Sequence, residues 1–471
     1  MGSQKSGPFN VKNIAVIGAG PCGLSAARYL LAQNAFERIV IYEQQPEVGG
    51  VWNYSKTPSQ TLHVPQVSAF CPPDPPIRSG TAPPVFPTPM YDVLHTNIPW
   101  PLMKYSDMAF PDDSLIFPSR DIVQDYLVKY AEDVRHLIKF SMVVKDVRPR
   151  KEDGRDQWDL DAMSTVNGDM QTATYDAVVV ASGHYSTMFI PDVKNIREFH
   201  EAHPEVISHS KSYRTADQFA NKKVVVVGNS ASGLDIAAQI SRVCRKPLLL
   251  SVKTPCPPDN LAFVGAEEVP VIEEFLVGQR GVRFQDGRVE RDIDAILYST
   301  GYLFTFPFLT SLAPSLVSDG RRVHGLYQHL IHIDHPTLVF PGLPIKVVPF
   351  PLSESQAAVF ARVWTNAISL PSTAEMKEWE DEEARRKGPA FHVWPKGADG
   401  EYINSTHDRI VHSGTQGKEP PRWDDELLWQ RKIYAEAKLK FEKEGRVAKS
   451  LDELGFPYPS SGQGETKEEI L

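Results

Sequence analysis

A chain of 471 residues, 41% hydrophobic and 23% charged, can bury more than one core usually organises, so at least two domains are expected and no large disordered part is needed. A net charge of -9 argues against a nucleic-acid surface or a polybasic membrane contact. Cys22, Cys71, Cys244 and Cys256 form neither a C-x-x-C pair nor a metal-ligand spacing, which excludes a dithiol redox pair and a cysteine-rich zinc site and reads as reduced cytoplasmic thiols.

The N-terminus, MGSQKSGPFN, has no apolar stretch of leader length, and residues 1–9 read as a loose arm. No segment approaches the ~20 apolar residues of a membrane span, so neither membrane nor nucleic acid is an expected partner. Asn13 to Ile17 is an apolar strand that runs into GAGPCG, from Gly18 through Gly20, Pro21 and Cys22 to Gly23, and then into an apolar helix. The next strand, Ile39 to Tyr42, closes on Glu43 and Gln44. Early glycines let backbone approach a pyrophosphate, the helix N-terminus offers unpaired N–H groups, and a carboxylate at the second strand tip accepts ribose hydroxyls, as an FAD or NAD site wants.

Val48-Gly49-Gly50-Val51-Trp52 follows, then a proline-rich stretch from Cys71 to Pro89 whose rings forbid central strand or helix and leave a rigid covering loop. Ser119 to Val134 has apolar side chains at helical intervals, and strands are expected over Ser141–Val147, Trp158–Met163 and Tyr175–Ala181. Val224 to Val227 then leads into GNSASG, from Gly228 through Ser230 and Ser232 to Gly233, and a strand ends at Lys253 and Thr254. Glu43 stands 25 residues beyond Gly18, and Lys253 stands 25 beyond Gly228. The same ruler ends in opposite charges. A base attracts the 2′-phosphate that an acid repels, so the first unit is expected to hold FAD and the second NADPH.

Two crossings, Ala181-Ser182-Gly183-His184-Tyr185-Ser186 and Ser299-Thr300-Gly301-Tyr302, each follow an apolar strand. The expected architecture is therefore α/β, with two dinucleotide-binding domains of Rossmann type and the NADPH domain inserted into the FAD domain. Its parts are 1–194 (FAD), 195–324 (NADPH), 325–371 (FAD again, through Thr337 to Gly342) and 372–471, a charged helical cap taken as peripheral. Helical runs are expected in that cap around Glu375–Lys387 and Asp424–Phe441, ahead of a polar tail from Ser460 to Leu471.

These residues resemble the flavin-containing monooxygenases, over roughly Val11 to Trp364. The resemblance rests on GAGPCG with Glu43, on Gly49 to Trp52, on both crossings, on VVVVGNSASGLDIA, and on Tyr91-Asp92-Val93-Leu94-His95-Thr96-Asn97. The family fingerprint F-x-G-x-x-x-H-x-x-x-[Y/F] is half present: His209 to Tyr213 matches, while His203 and Glu205 stand where Phe and Gly belong, which implies a reshaped connection into the second domain. Tyr213 in the last place fits the branch that oxygenates nitrogen and sulfur; Baeyer-Villiger relatives generally carry Trp there.

The resemblance implies an NADPH-dependent monooxygenase that passes one oxygen atom from a flavin C4a-hydroperoxide to a soft nitrogen or sulfur nucleophile, with a small-molecule substrate and oxygen as partners and a homodimer as a plausible state. Baeyer-Villiger oxidation of ketones, or dehydrogenation without oxygen transfer, are the other readings. Asn97 is the implied catalytic residue; its own sequence context alone, before Ile98-Pro99, reads as a turn residue. Gly183 and Ser210 join the implied cofactor residues, with His209 and Ser210 bracketing a phosphate or steadying a linker. Trp52 covers the flavin or fills a core, Cys22 suits close packing, and Arg120 reaches a phosphate or begins its helix. Gln356 ends an S-x-x-Q run read as a capping box, at a helix N-terminus that would favour negative charge on reduced flavin. No metal site is expected, since His63, His324, His329, His332 and His335 show no metal-like pair.

Overall fold

The structure, a computed structural model, describes residues 8–459. Most of the expected N-terminal arm and the tail from Ser460 to Leu471 lie outside the described residues. Phe9 is not loose: its N–H and C=O are both taken by the Asn366 side chain, at 3.0 and 2.9 Å.

Four aliphatic residues in a row, Ile14 to Ile17, suit a strand buried on both faces. Accordingly β1 (Asn13–Ile17) lies in the middle of a seven-stranded sheet, parallel to β2 (Arg38–Tyr42) on one side and to β7 (Ala177–Val180) on the other. β3 (Ile138–Lys139) extends one edge. The other edge is built late in the chain by β13 (Leu326–Tyr327), β14 (Ile331–His332) and β15 (Leu338–Val339), of which β15 runs parallel to β7. Helix α1 (Pro21–Leu31) follows β1, α2 (Arg120–Tyr130) follows the long loop region, and α4 (Pro349–Trp364) packs along α1 with almost every residue buried.

A second parallel sheet holds β8 (Ile207–His209), β9 (Val224–Val227), β10 (Leu248–Ser251), β11 (Ala266–Val269) and β12 (Ala295–Tyr298) in the order β11-β10-β9-β12-β8. Helix α3 (Ala231–Ser241) connects β9 to β10. Every strand of this sheet falls between β7 and β13 of the first, so one dinucleotide domain is inserted into the other. The two crossings touch as a short antiparallel pair, Met188 opposite Tyr302 and Thr187 opposite Leu303.

Three sequence expectations change. The stretch Tyr175–Ala181 is two strands: β4 (Met142–Glu152), β5 (Arg155–Ser164) and β6 (Met170–Tyr175) form an antiparallel meander, and the chain switches sheets at Asp176. That carboxylate accepts the N–H groups of Lys12 and Asn13 at 2.8 and 2.7 Å and the Gln157 amide at 2.7 Å, fixing the corner. Among the described residues the charged C-terminal region holds three α-helices, α5 (Thr373–Lys387), α6 (Ala398–His412) and α7 (Asp425–Lys443), where two were expected. It is also packed into the molecule: Phe441, Ala448, Leu451 and Leu454 share a buried cluster with Ile116 and Phe117, and Ile403 shares another with Leu102 and Val348. No helix among the described residues is long and apolar enough to cross a membrane.

Candidate functional site

The two glycine turns are nearly superimposable in their logic. Gly18 has φ +103° and Gly228 φ +105°, and a Cβ on either would collide with a carbonyl of its own crossing, Ala181 O at 2.5 Å and Ser299 O at 2.7 Å. A side chain on Gly23 or Gly233 would strike the carbonyl of Gly18 or Gly228, at 1.9 and 2.3 Å. Each turn is tied to its second strand, Gly18 N–H to Tyr42 O at 2.8 Å and Gly228 N–H to Ser251 O at 2.9 Å. Each therefore delivers a helix N-terminus to the carboxyl edge of its sheet, where anions bind.

Around the first turn, Gly49 N–H donates to Ala19 O at 3.0 Å, which lays the Gly50–Trp52 turn, Val51 included, over the glycine loop. A Cβ on Gly50 would come within 2.9 Å of the Gly20 Cα. The two backbones thus form a groove floor that any side chain would fill, which fits a pyrophosphate. Pro21 occupies the first helical position, where its missing N–H costs nothing. Trp52 is half-buried and packs on the first core.

Glu43 is buried, and both oxygens already accept backbone N–H groups, Oε2 from Ala19 at 2.7 Å and Oε1 from Gln45 at 2.8 Å. Burial pushes its pKa up to about 7 against those bonds, so ribose hydroxyls that donate to the carboxylate would favour its ionised form. Gln44 beside it is exposed. Gln45, which sequence reasoning passed over, is buried and exchanges two hydrogen bonds with Phe86, at 2.8 and 2.9 Å, pinning the proline-rich loop to the strand tip. Cys22 packs against Gly342, whose added Cβ would meet its sulfur at 2.4 Å, and burial pushes its thiol up to about 12, which leaves it protonated. This agrees with a packing role.

The second tip is built differently. Lys253, Thr254, Ser230 and Ser232 are exposed, and Asn229 braces the loop by donating to Thr254 O at 2.7 Å. Ser230 is the N-cap of α3 and is exposed, whereas Gly20 in the first turn lies under Gly50.

The capping-box expectation at Gln356 is overturned. α4 begins at Pro349 with Val348 as its N-cap, so Ser353 lies within the helix and bonds Phe350 O at 2.7 Å and the Ser25 hydroxyl at 2.9 Å. Gln356 is fully buried; its Oε1 accepts Gly342 N–H at 2.8 Å, and its Nε2 has no partner. A buried orphan donor of this kind fits a bound acceptor. The N-cap N–H of Val348 is instead taken by Asp399 of α6 at 2.9 Å, and Asp399 is neutralised by Arg431 of α7, also at 2.9 Å.

Asn97 sits on an exposed corner fixed by its neighbour, as the buried Thr96 donates through Oγ1 to Ile98 O at 2.9 Å. The amide itself is open to solvent. Arg120 begins α2 and lies over the Tyr54 ring at 3.8 Å, with its Nε unpartnered. Gly183 is exposed in the first crossing with nothing within 4 Å of an added Cβ.

His209 is fully buried; its Nδ1 accepts Lys211 N–H, so Nε2 carries the proton toward Gly301 O at 3.1 Å, and burial lowers its pKa to about 3. It is a neutral strut between β8 and the second crossing, with Ser210 buried beside it. Two further residues were missed in the sequence. Lys211 is buried on Asp74 and Ser186 O, both at 2.5 Å, and Arg214 donates to Ser55 O and Thr88 O at 2.7 and 3.0 Å, so they strap both ends of the covering loop, and the chain ahead of it at Ser55, to the inserted domain. The departure at His203 is absorbed at the surface, where its Nε2 faces Val277 O at 2.9 Å and Glu205 is exposed. A cavity of about 150 Å³ lies between the second crossing (Thr300, Tyr302, Phe304), Arg321, and Pro389, His392 and Val393 of the cap.

An α/β fold carrying one dinucleotide sheet inside another, with an acid tip on the first and a base tip on the second, defines a two-nucleotide oxidoreductase. The chain belongs to the flavin-containing monooxygenase family. The model described as flavin-binding monooxygenase-like matches residues 87–256 and 268–416, and that of an NAD(P)-binding Rossmann-like domain matches 16–79. The chain is 31% identical to a thiol-specific monooxygenase of Saccharomyces cerevisiae over 88% of its own length and 90% of that protein's. It is 32% identical to the flavin-containing monooxygenase FMO GS-OX-like 4 of Arabidopsis thaliana, over 78% and 79%. The solved S-allyl-L-cysteine S-oxygenase of Allium sativum superposes with a TM-score of 0.75 at 26% identity, covering 95% of this chain and 97% of that one. The protein is accordingly a flavin monooxygenase with FAD and NADPH as cofactors.

Proposed function

We propose that this monooxygenase takes hydride from NADPH and passes one oxygen atom to a soft nucleophile, sulfur of a thiol or sulfide before nitrogen of an amine. The observation that carries the reading is the pair of equally spaced strand tips of opposite charge, Glu43 buried into the first glycine turn and Lys253 exposed beside the second. The sulfur preference is supported by the relatives, one a thiol-specific monooxygenase and one an S-allyl-L-cysteine S-oxygenase. FAD, when bound, supplies hydride acceptance and oxygen activation. The chain's own part is to bind, orient and exclude water.

Gly18, Gly20, Pro21 and Gly50 would bed the FAD pyrophosphate, Glu43 its ribose, and the orphan Nε2 of Gln356 an acceptor of the ring. Gly228, Ser230 and the α3 N-terminus would hold the NADPH pyrophosphate, with Lys253 and Thr254 at the 2′-phosphate. Asn97 presents an amide free to donate and to accept at the substrate side. No strong acid or base is required of the protein. Tyr213, at the position where ketone-oxidising enzymes of this kind generally carry Trp, is fully buried and donates to Gln239 at 2.8 Å, which supports the nitrogen- and sulfur-oxygenating reading.

The test is oxygen uptake with NADPH and, in turn, a thiol, a sulfide, an amine and a cyclic ketone. Substrate-dependent uptake with S-oxide or disulfide product supports the reading. Lactone from the ketone would replace it with Baeyer-Villiger chemistry, and NADPH oxidation without oxygen uptake would replace it with a dehydrogenase.

A further inference from the structure

The segment that carries Asn97 is backed by the C-terminal cap. His95 stacks edge-on against Phe441 of α7 with ring centroids 5.7 Å apart, and Phe441 also packs on Phe117, whose carbonyl lies 2.9 Å from His95 Nδ1. Ile116 N–H donates to Ala448 O at 2.9 Å. Just beyond α7, Arg446 turns back with φ 62° and spreads its guanidinium over three elements. It donates to Glu442 of α7 at 2.6 Å, to Val93 O of the Asn97 segment at 2.7 Å, and to Asp235 Oδ1 of the inserted domain at 3.1 Å.

Asp235 stands in α3, the helix whose N-terminus is the second glycine turn. Its other oxygen accepts the Tyr91 hydroxyl and, at 3.2 Å, the Gln239 amide. The Arg446 and Asp235 side chains are 19% and 14% exposed, so this ion pair is shielded and directional where an exposed pair would contribute little. One guanidinium therefore joins the cap, the nucleotide helix and the backbone four residues before Asn97. The backbone enters and leaves the inserted domain at the two crossings, and Lys211 and Arg214 strap that domain to the covering loop; Arg446 is the strap that comes from the cap.

We propose that Arg446 is a positioning residue for oxygen transfer: by latching α3 to the Tyr91–Asn97 segment it sets the spacing between the bound nicotinamide and Asn97. The proposal rests on the monooxygenase reading above. Loss of the latch leaves NADPH able to reduce the flavin but lets oxygen escape as hydrogen peroxide, so that NADPH, a proton and oxygen yield NADP⁺ and peroxide with no product oxygenated.

The experiment uses the FAD-loaded full chain with Arg446→Met, Arg446→Lys, Asp235→Asn and the Met/Asn double variant. Flavin reduction by NADPH under anaerobic conditions is expected to stay within about twofold, while the peroxide share of NADPH consumption rises on the order of threefold to tenfold, the range for a residue that couples sites without touching a ligand. The double variant should be no worse than the worse single one, and Arg446→Lys should recover part of the loss. Amide exchange should speed up in Tyr91–Thr96 and in α3 together. A lowered melting temperature with unchanged peroxide share, or faster exchange confined to residues beyond Phe441, overturns the latch. If the unaltered protein takes up no oxygen with NADPH, the functional reading fails and exchange alone decides: joint acceleration upholds the latch, acceleration of the C-terminal segment alone removes it.

Discussion

The two nucleotide turns share their backbone and differ in how they use the charge at the strand tip. Gly18 and Gly228 adopt the same left-handed conformation against the same kind of carbonyl. Yet Glu43 is built into its turn as an acceptor for Ala19 and Gln45, whereas Lys253 stands in solvent. One tip is built into the fold and the other stands at the surface, where the proposed role is recognition. The middle position follows suit: Gly20 lies under Gly50, so that a side chain there would meet the Gly50 Cα at 3.3 Å, while Ser230 in the second turn is exposed.

This contrast is most sharply tested by Glu43→Ala. It orphans two buried N–H groups, at about 1–3 kcal/mol each. The expected outcome is a lower melting temperature and a colourless protein; a stable yellow variant would break the contrast. Asn97→Ala belongs to neither turn and should leave both cofactors bound while coupled turnover falls by about tenfold or more, as for loss of a donor at a reacting centre. Product formation equal to the parent's removes Asn97 from the site.

Lys253→Ala should leave melting and flavin content untouched and raise the KM for NADPH by roughly tenfold, with NADH unaffected, since only NADPH carries the phosphate that a charge-assisted bond would hold. Equal changes for both nucleotides would mean the 2′-phosphate lies elsewhere.

The smallest effect concerns protons. Burial raises Glu43 from 4.5 to about 7 in the flavin-free protein, so the folded state holds a proton there that the unfolded chain has lost. Stability of the flavin-free protein should therefore decline as pH rises from about 4.5 to 7, and FAD affinity should grow roughly fivefold between about pH 6 and 8, because ribose hydroxyls prefer the carboxylate. Binding heats measured near pH 6.5 in two buffers of different ionisation enthalpy should differ. Identical heats, or the same pH dependence in Glu43→Gln, would show that no proton leaves Glu43.

The glycine turns, both tips, the crossings and the insertion were legible because each is a local pattern: apolar strand, turn, helix, charge. What escaped the sequence is long-range. The break at Asp176 is invisible in the run Tyr175–Ala181, since it depends on N–H groups at Lys12 and Asn13. Ser353 and Gln356 have capping-box spacing, but Pro349 and Pro351 start the helix a turn earlier; the true capping box is Ser372 with Glu375, at α5. α6 was obscured by Gly397 and Gly400, the second of which is glycine because Leu428 and Trp423 press on it. Arg214, Lys211 and Arg446 carry no motif at all. Their partners lie up to hundreds of residues away, and only the fold brings them together.

Asp399 and Arg431 have a consequence for the order in which this molecule is made. The carboxylate that caps α4 is compensated by a side chain from α7, so a ribosome must deliver Arg431 before the helix bearing Gln356 has its settled start. Until then the glycine turns can exist without a finished flavin bed. Tight retention of the prosthetic group is thereby deferred to the close of synthesis, and a chain truncated before α7 should emerge apo however intact its nucleotide motifs.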